Sequence, residues 1–173
     1  MGDIRVRPAM REDLGRIVEI YNYYVINTPI TFDLEPFKTE QRIKWFEEHA
    51  GTKRHRLFVA EDAGEVVGYA GTGQFRDKAA YDTSVETTIY CAHEVLRSGI
   101  GSMLYRTLFD ALKDEDIHRI LAGITIPNDA SVEMHRRFGF TDVGVFIENG
   151  RKFDRYWDVL WMQRPLVLTG EVK

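Results

Sequence analysis

Residues 85 to 126 carry the pattern that most restricts the fold. Val85, Thr87, Ile89 and Cys91 alternate with Glu86, Thr88 and Tyr90, the two-residue period of a strand. A turn with two glycines follows, Leu96-Arg97-Ser98-Gly99-Ile100-Gly101-Ser102, and opens a helix from about Gly99 to Lys113 with the apolar stripe Ile100, Met103, Leu104, Leu108 and Leu112. Arg119 to Ile126 is then nearly continuously apolar, as in a buried central strand. Strand, helix and buried strand in succession predict an α/β domain with a mixed sheet.

The flanking segments fit that frame. Ile4 to Arg7 reads as a short strand ended by Pro8, and Leu14, Ile17, Val18, Tyr21 and Val25 as a helix starting near Arg11 to Asp13. A second helix is expected from Thr39, as its cap, to Ala50, with Gly51 ending it. Arg56 to Asp62 and Glu65 to Gly71 form a hairpin, and Gly73 to Thr83 a loop. Pro127-Asn128-Asp129 starts a helix that Gly139 ends. Thr141 to Glu148 and Lys152 to Gln163 read as a closing hairpin turned at Asn149-Gly150. The order is β-α-α-β-β-β-α-β-α-β-β, one domain over residues 1–166 with a loose tail from about Leu166 to residue 173.

Composition narrows the chemistry. The 173 residues carry a formal net charge of -4, which argues against a nucleic-acid face. A lone cysteine, Cys91, forbids an internal disulfide and a cysteine zinc cluster and suits a reducing compartment, so a cytoplasmic location is expected. No metal site is expected, since His49 and His55 lack partners at ligand spacing. No apolar run is long enough to span a membrane.

The glycine turn can present backbone N–H groups to an anion at a helix N-terminus, a natural pyrophosphate site. By itself it is also just a tight strand-to-helix connection. A dinucleotide fingerprint would need glycine where Leu104 stands, and the Gly-Lys-Ser/Thr of a nucleotidase phosphate loop is absent.

Taken together, Gly99 and Gly101 after the strand Val85 to Cys91, Asn128-Asp129-Ala130-Ser131 with His135 and Gly139-Phe140, and Arg5 to Pro8 resemble the GNAT-type N-acetyltransferases over about Ile4 to Leu166. Leu96 stands where that family usually has Arg or Gln, with Arg97 one position later. Ala80-Tyr81-Asp82, Val85-Glu86-Thr87-Thr88-Ile89-Tyr90, Pro127 to Ser131, Met134-His135, Lys152-Phe153 and Trp157-Asp158-Val159 are similar to the phosphinothricin and methionine-sulfone acetyltransferase subgroup. The resemblance implies the GNAT fold with a largely antiparallel sheet, acetyl-CoA as co-substrate and a small amine as acceptor. It also implies a homodimer.

It implies site residues as well. Glu86, a carboxylate in an apolar and threonine-rich strand, would be the general base, directly or through a water, although an outward-facing edge position would also explain it. His135 would be an acid to the leaving sulfur or a second base, against the plainer reading of a core or surface histidine. A strand amide of Thr88, Ile89 or Tyr90 would hold the acetyl carbonyl. Leu96, Arg97, Ser98, Gly99, Ile100, Gly101 and Ser102 would cradle the pyrophosphate, with Asn128 and Ser131 as further cofactor contacts; Asn128 also serves as a helix cap. Aromatic and basic residues in three loops, Phe32, Phe75, Arg76, Tyr81, Lys152 and Phe153, would form the acceptor pocket, with a substrate carboxylate on Arg76 or a neighbour. The other readings are an N-acetyltransferase for a protein N-terminus or another metabolite amine, and a non-catalytic acyl-CoA sensor.

Overall fold

The computed structural model describes residues 4–51, 53–95 and 99–167. In chain order these form β1 (Arg5–Pro8), α1 (Leu14–Asn27), α2 (Ile43–His49), β2 (Leu57–Asp62), β3 (Glu65–Gln74), β4 (Ser84–Cys91), α3 (Ile100–Leu112), β5 (Arg119–Ile126), α4 (Asp129–Arg137), β6 (Thr141–Lys152) and β7 (Arg155–Pro165). The strands make a seven-stranded sheet in the order β1-β2-β3-β4-β5-β7-β6. Among the described residues only β4 and β5 pair in parallel. The expected element order and mixed sheet are therefore what the chain forms.

Each face of the sheet has its own core. Leu104, Tyr105, Leu108 and Leu112 of α3 pack with Val85, Ile120 and Met162 on one side. Leu14, Ile17 and Val18 of α1 and Phe46 of α2 pack with Val59 and Tyr69 on the other. Arg7 fixes the turn from β1 into α1. Its guanidinium bonds Asp13 at 2.7 and 2.9 Å and Glu61 at 2.7 Å, while Asp13 accepts the Met10 N–H at 2.7 Å.

Several boundaries differ from the sequence reading. Thr39 is not a cap: Thr39–Arg42 is a 3-10 turn, and the Gln41 side chain accepts the Lys38 N–H at 2.6 Å. Likewise Arg11–Asp13 is a 3-10 turn before α1. β3 runs three residues beyond Gly71, because its pairing with β4 continues to Gln74↔Val85. On α3, Met103 is 36% exposed, and Tyr105 and Phe109 take the buried face. Leu166 is buried in the core rather than loose.

The closing hairpin is the largest correction. Asn149 and Gly150 lie inside β6, where the register shifts between Phe146 and Gly150 and Glu148 has φ 51°. The turn is Phe153-Asp154, two consecutive left-handed residues with φ 53° and 56°, as a two-residue hairpin turn requires. Gly150 is needed for another reason: a Cβ there would lie 2.3 Å from the Phe32 ring.

Two glycines give opposite expectations. A Cβ at Gly71 would sit 2.8 Å from the Arg56 carbonyl oxygen, and that backbone is held in the sheet. Gly71→Ala should cost about 1–3 kcal/mol in urea unfolding. Gly15, in α1 with nothing near its missing Cβ, should gain about 0.5–1 kcal/mol on conversion to Ala.

Candidate active site

The site begins where a strand pair stops. β4 and β5 are in register only at Ser84↔Arg119, Val85↔Ile120 and Glu86↔Leu121, although the strands run on to Cys91 and Ile126. Beyond Glu86, β4 stays bonded to β3 and β5 to β7, so the two halves of the sheet diverge. The Ala92 N–H donates to the Val67 carbonyl at 2.9 Å. In an antiparallel ladder the bonding direction alternates by residue. Thr88 and Tyr90 therefore spend their amides on β3, the Glu86↔Leu121 pairing takes that of Thr87 into the β5 ladder, and Ile89 and Cys91 turn theirs into the gap. Ile89 lines the opening and its amide faces it, while the Tyr24 hydroxyl donates to the Cys91 carbonyl at 2.5 Å.

A cavity of about 300 Å³ occupies the gap. Glu86, Thr88, Ile89 and Tyr90 of β4 line it, with Phe32 from the loop after α1 and Asn128, Ser131 and His135 around α4. At the start of α3, Gly99 adopts a left-handed φ of 96° and its carbonyl takes the Met103 N–H at 2.9 Å. A Cβ on Gly101 would meet Met134 Sδ at 2.9 Å and Ile89 Cδ1 at 3.4 Å. A bare backbone at 101 thus lets α3 start against α4 and the open end of β4. Gly99, Ile100, Gly101 and Ser102 form this N-terminal turn; Leu96, Arg97 and Ser98 lie outside the described residues. A splayed pair with an unspent amide, ending beside a helix N-terminus, can receive an extended ligand whose oxyanion meets the strand amide and whose anionic end meets the helix.

Glu86 is a partly buried carboxylate with no hydrogen-bond or ion-pair partner among the described residues. Burial raises its pKa above the ordinary carboxylate value, and the positive charge of Arg76 works in the other direction. Side chains 86, 88 and 90 share one face of β4. A second cavity of about 240 Å³ on the α1 and α2 side shares Glu86, Thr88 and Tyr90 with the first. Glu86 therefore stands at the junction of the two.

His135 is buried at 3% exposure. Its Nδ1 lies 2.7 Å from the Ser131 carbonyl, which can only accept, so Nδ1 carries the proton and Nε2 accepts from the Tyr105 hydroxyl at 2.8 Å. Burial lowers its pKa, so the ring is neutral near pH 7. Burial also pushes the Tyr105 phenol well up, so it keeps its proton; Thr87, beside it, donates to the Gly71 carbonyl at 3.1 Å. Asn128 caps α4 by accepting the Ser131 N–H at 3.3 Å. Burial pushes the Cys91 thiol up to about 11, which leaves it an inert filler near neutral pH.

The loop residues expected around the acceptor divide. Phe32 lines the main cavity, whereas Phe75 and Arg76 line a separate apolar recess of about 210 Å³ with Phe146 and Trp161. Tyr81 packs edge-on to Phe75 at 5.9 Å. Lys152 is not open to a ligand: it is buried and its ammonium donates to the Thr31 carbonyl at 2.8 Å, tying the loop after α1 to β6. Phe153 sits at the exposed hairpin turn. Tyr105, Thr31, Asn149 and Trp161 line the main cavity without having been singled out from sequence. The Trp161 indole N–H is buried with no partner among the described residues. Among the described residues no group of three or more His, Cys, Asp or Glu could hold a metal ion, and no helix is long and apolar enough to cross a membrane.

Removing the Tyr105 hydroxyl strands the buried His135 Nε2. Tyr105→Phe should cost about 1–3 kcal/mol in urea unfolding.

Residues 6–161 match the family model of the acetyltransferase (GNAT) domain. The chain is 53% identical to the phosphinothricin N-acetyltransferase of Streptomyces coelicolor, across 95% of this chain and 97% of that protein. It is 33% identical to the L-methionine sulfoximine/L-methionine sulfone acetyltransferase of Pseudomonas aeruginosa, across 93% and 94%. Its fold is similar to the crystal structure of a GNAT superfamily phosphinothricin acetyltransferase from Sinorhizobium meliloti in complex with AcCoA. The TM-score is 0.88 at 31% identity, covering 98% of this chain and 92% of that one.

Proposed function

Because the chain belongs to the GNAT acetyltransferase family, an N-acetyltransferase family that uses acetyl-CoA, we propose that it acetylates the α-amino group of a phosphinothricin-, methionine sulfone- or methionine sulfoximine-type amino acid. The observation that carries this reading is Glu86: a carboxylate without a partner at the junction of two cavities, on the strand whose free amides open into the gap.

Bound acetyl-CoA supplies the acyl thioester. The first turn of α3 from Gly99 to Ser102 holds the pyrophosphate with backbone N–H groups. Asn128 and Ser131 line the path of the arm. The Ile89 N–H, rather than those of Thr88 or Tyr90, is directed at the position of the thioester carbonyl oxygen, where negative charge builds. Glu86 takes the proton of the incoming ammonium, directly or through one water, because only a neutral amine attacks a carbonyl carbon. The C–N bond forms, the C–S bond breaks, and the departing thiolate takes the second proton that the newly acylated nitrogen gives up. With Nδ1–H spent on Ser131 and Nε2 accepting from Tyr105, the resting His135 offers no free proton. It acts by orienting the Tyr105 hydroxyl, which lines the same cavity. Arg76, whose charge is felt at Glu86, holds the α-carboxylate. A lone cysteine suits this direct transfer and a cytoplasmic setting.

Glu86→Gln should lower kcat by about 10²–10⁴-fold on whichever of these amino acids is the best acceptor. The acidic limb of kcat/KM, expected above the ordinary carboxylate range because the Glu86 pKa is raised, should disappear with it. Normal turnover across pH would remove Glu86 as the base. The sign for stability is opposite. A carboxylate whose pKa is raised in the fold favours folding below its unfolded value and loses that contribution as pH rises through the folded value. Glu86→Gln should therefore raise the melting temperature at pH 8 while it lowers turnover.

The reading includes a homodimer. β6 is an edge strand, and Val143, Val145, Phe146 and Ile147 are exposed along it, a surface that a second copy would cover. Light scattering should give twice the chain mass at micromolar concentration, and Ile147→Asp should lower it; a monomeric wild type would exclude the dimer.

A further inference from the structure

The second cavity, on the α1 and α2 side, is the least explained part of the site. It is lined by Arg42, Trp45 and His49 at one end and by Glu86, Thr88 and Tyr90 at the other. The Arg42 guanidinium lies 4.2 Å from the Trp45 ring centroid, 4.9 Å from that of Phe37 and 5.1 Å from that of Tyr21. These rings hold the cation in place and shield it, but their faces bring no formal negative charge. Among the described residues no carboxylate pairs with it. Asp33, an acid on the loop after α1, accepts the Tyr21 hydroxyl at 2.5 Å. His49 adds no charge near pH 7: its Nδ1–H goes to the Trp45 carbonyl at 2.8 Å and burial lowers its pKa. Arg42 is thus the single cation lining this cavity among the described residues. A guanidinium is a forked donor matched to carboxylate and phosphorus oxyanions.

We propose that this cavity receives the distal end of the acceptor's side chain, and that Arg42 selects acceptors whose side chain ends in an oxyanion such as a phosphinate. The inference rests on the proposed function, in which the α-amine meets Glu86 and the α-carboxylate meets Arg76. From the amine at the junction, the side chain extends away from the thioester, past Thr88 and Tyr90, toward Arg42. Tyr90 and Tyr21, with ring centroids 5.1 Å apart, wall the passage between Glu86 and Arg42. Arg42 touches substrate here but takes no part in bond making, so its loss should appear as acceptor discrimination.

The test compares two acceptors that share the α-amino acid head and differ at the tail, phosphinothricin with its phosphinate and methionine sulfone with its neutral sulfone. Wild type, Arg42→Gln and Arg42→Lys are each assayed with saturating acetyl-CoA. In Arg42→Gln, kcat/KM for phosphinothricin should fall about 10- to 100-fold, mainly through KM, while methionine sulfone stays within about twofold. Arg42→Lys, which keeps charge but loses the fork, should fall between. Undiminished methionine sulfone turnover is the control for folding. Equal losses on both acceptors, or no loss on either, would overturn the inference and leave the proposed function standing. Loss of discrimination only in Arg76→Gln would do the same and move the oxyanion to Arg76. If wild type acetylates neither amino acid, the proposed function and this inference both fall.

Discussion

The molecule depends on one interruption of pairing. β4 and β5 share three residue pairs and then separate, each still bonded to its outer neighbour. A buried sheet ordinarily satisfies every amide, and an unspent N–H away from water costs free energy. The divergence makes that cost tolerable by opening the unspent amide of Ile89 to a cavity rather than burying it in protein. It also lets one strand serve two chambers. Glu86 at the point of separation borders both, and residues before it belong to the ordinary core.

Holding that wedge open requires support from distant parts of the chain. On one side, α3 begins against Ile89 and Met134 because Gly101 has no side chain. Across the wedge, Tyr105, His135 and Ser131 link α3 and α4 through hydrogen bonds, and Thr87 ties β4 to β3 at the Gly71 carbonyl. Opposite, Lys152 spends its charge on the Thr31 carbonyl and fixes the loop that brings Phe32 over Gly150. A half-satisfied version of such a network would be costlier than an apolar core, so these residues are as structural as they are chemical. The lone cation Arg42 and the lone carboxylate Glu86 contrast with it. Among the described residues neither has a hydrogen-bonded or ion-paired partner.

Much of this was legible along the chain. The alternation of Val85 to Cys91 marks β4, and the turn residues place Gly99 and Gly101 at a helix start. Asn128 could be read as a cap from its position, and the structure makes it one. Other residues misled for physical reasons. Asn149-Gly150 has the composition of a hairpin turn, but Gly150 is there for the close approach of Phe32. Lys152 reads as a loop cation, yet its partner lies 121 residues away. Arg42 is inconspicuous in the sequence because an arginine at a helix start is ordinary; the packing of Tyr21, Phe37 and Trp45 around it sets it apart.

The sequence by itself determined the order of strands and helices, the glycine turn ahead of α3 and the resemblance to an acetyltransferase family. The first two follow from periodicity and turn chemistry over a few neighbouring residues, the resemblance from the motifs of β4, α4 and the glycine turn. Only the tertiary structure decided where β4 parts from β5, which amide of β4 is free, which nitrogen of His135 holds the proton, and which charges lack partners. Each of those depends on groups brought together from far apart in the chain, and local periodicity carries no record of whether a side chain's partner is present or absent.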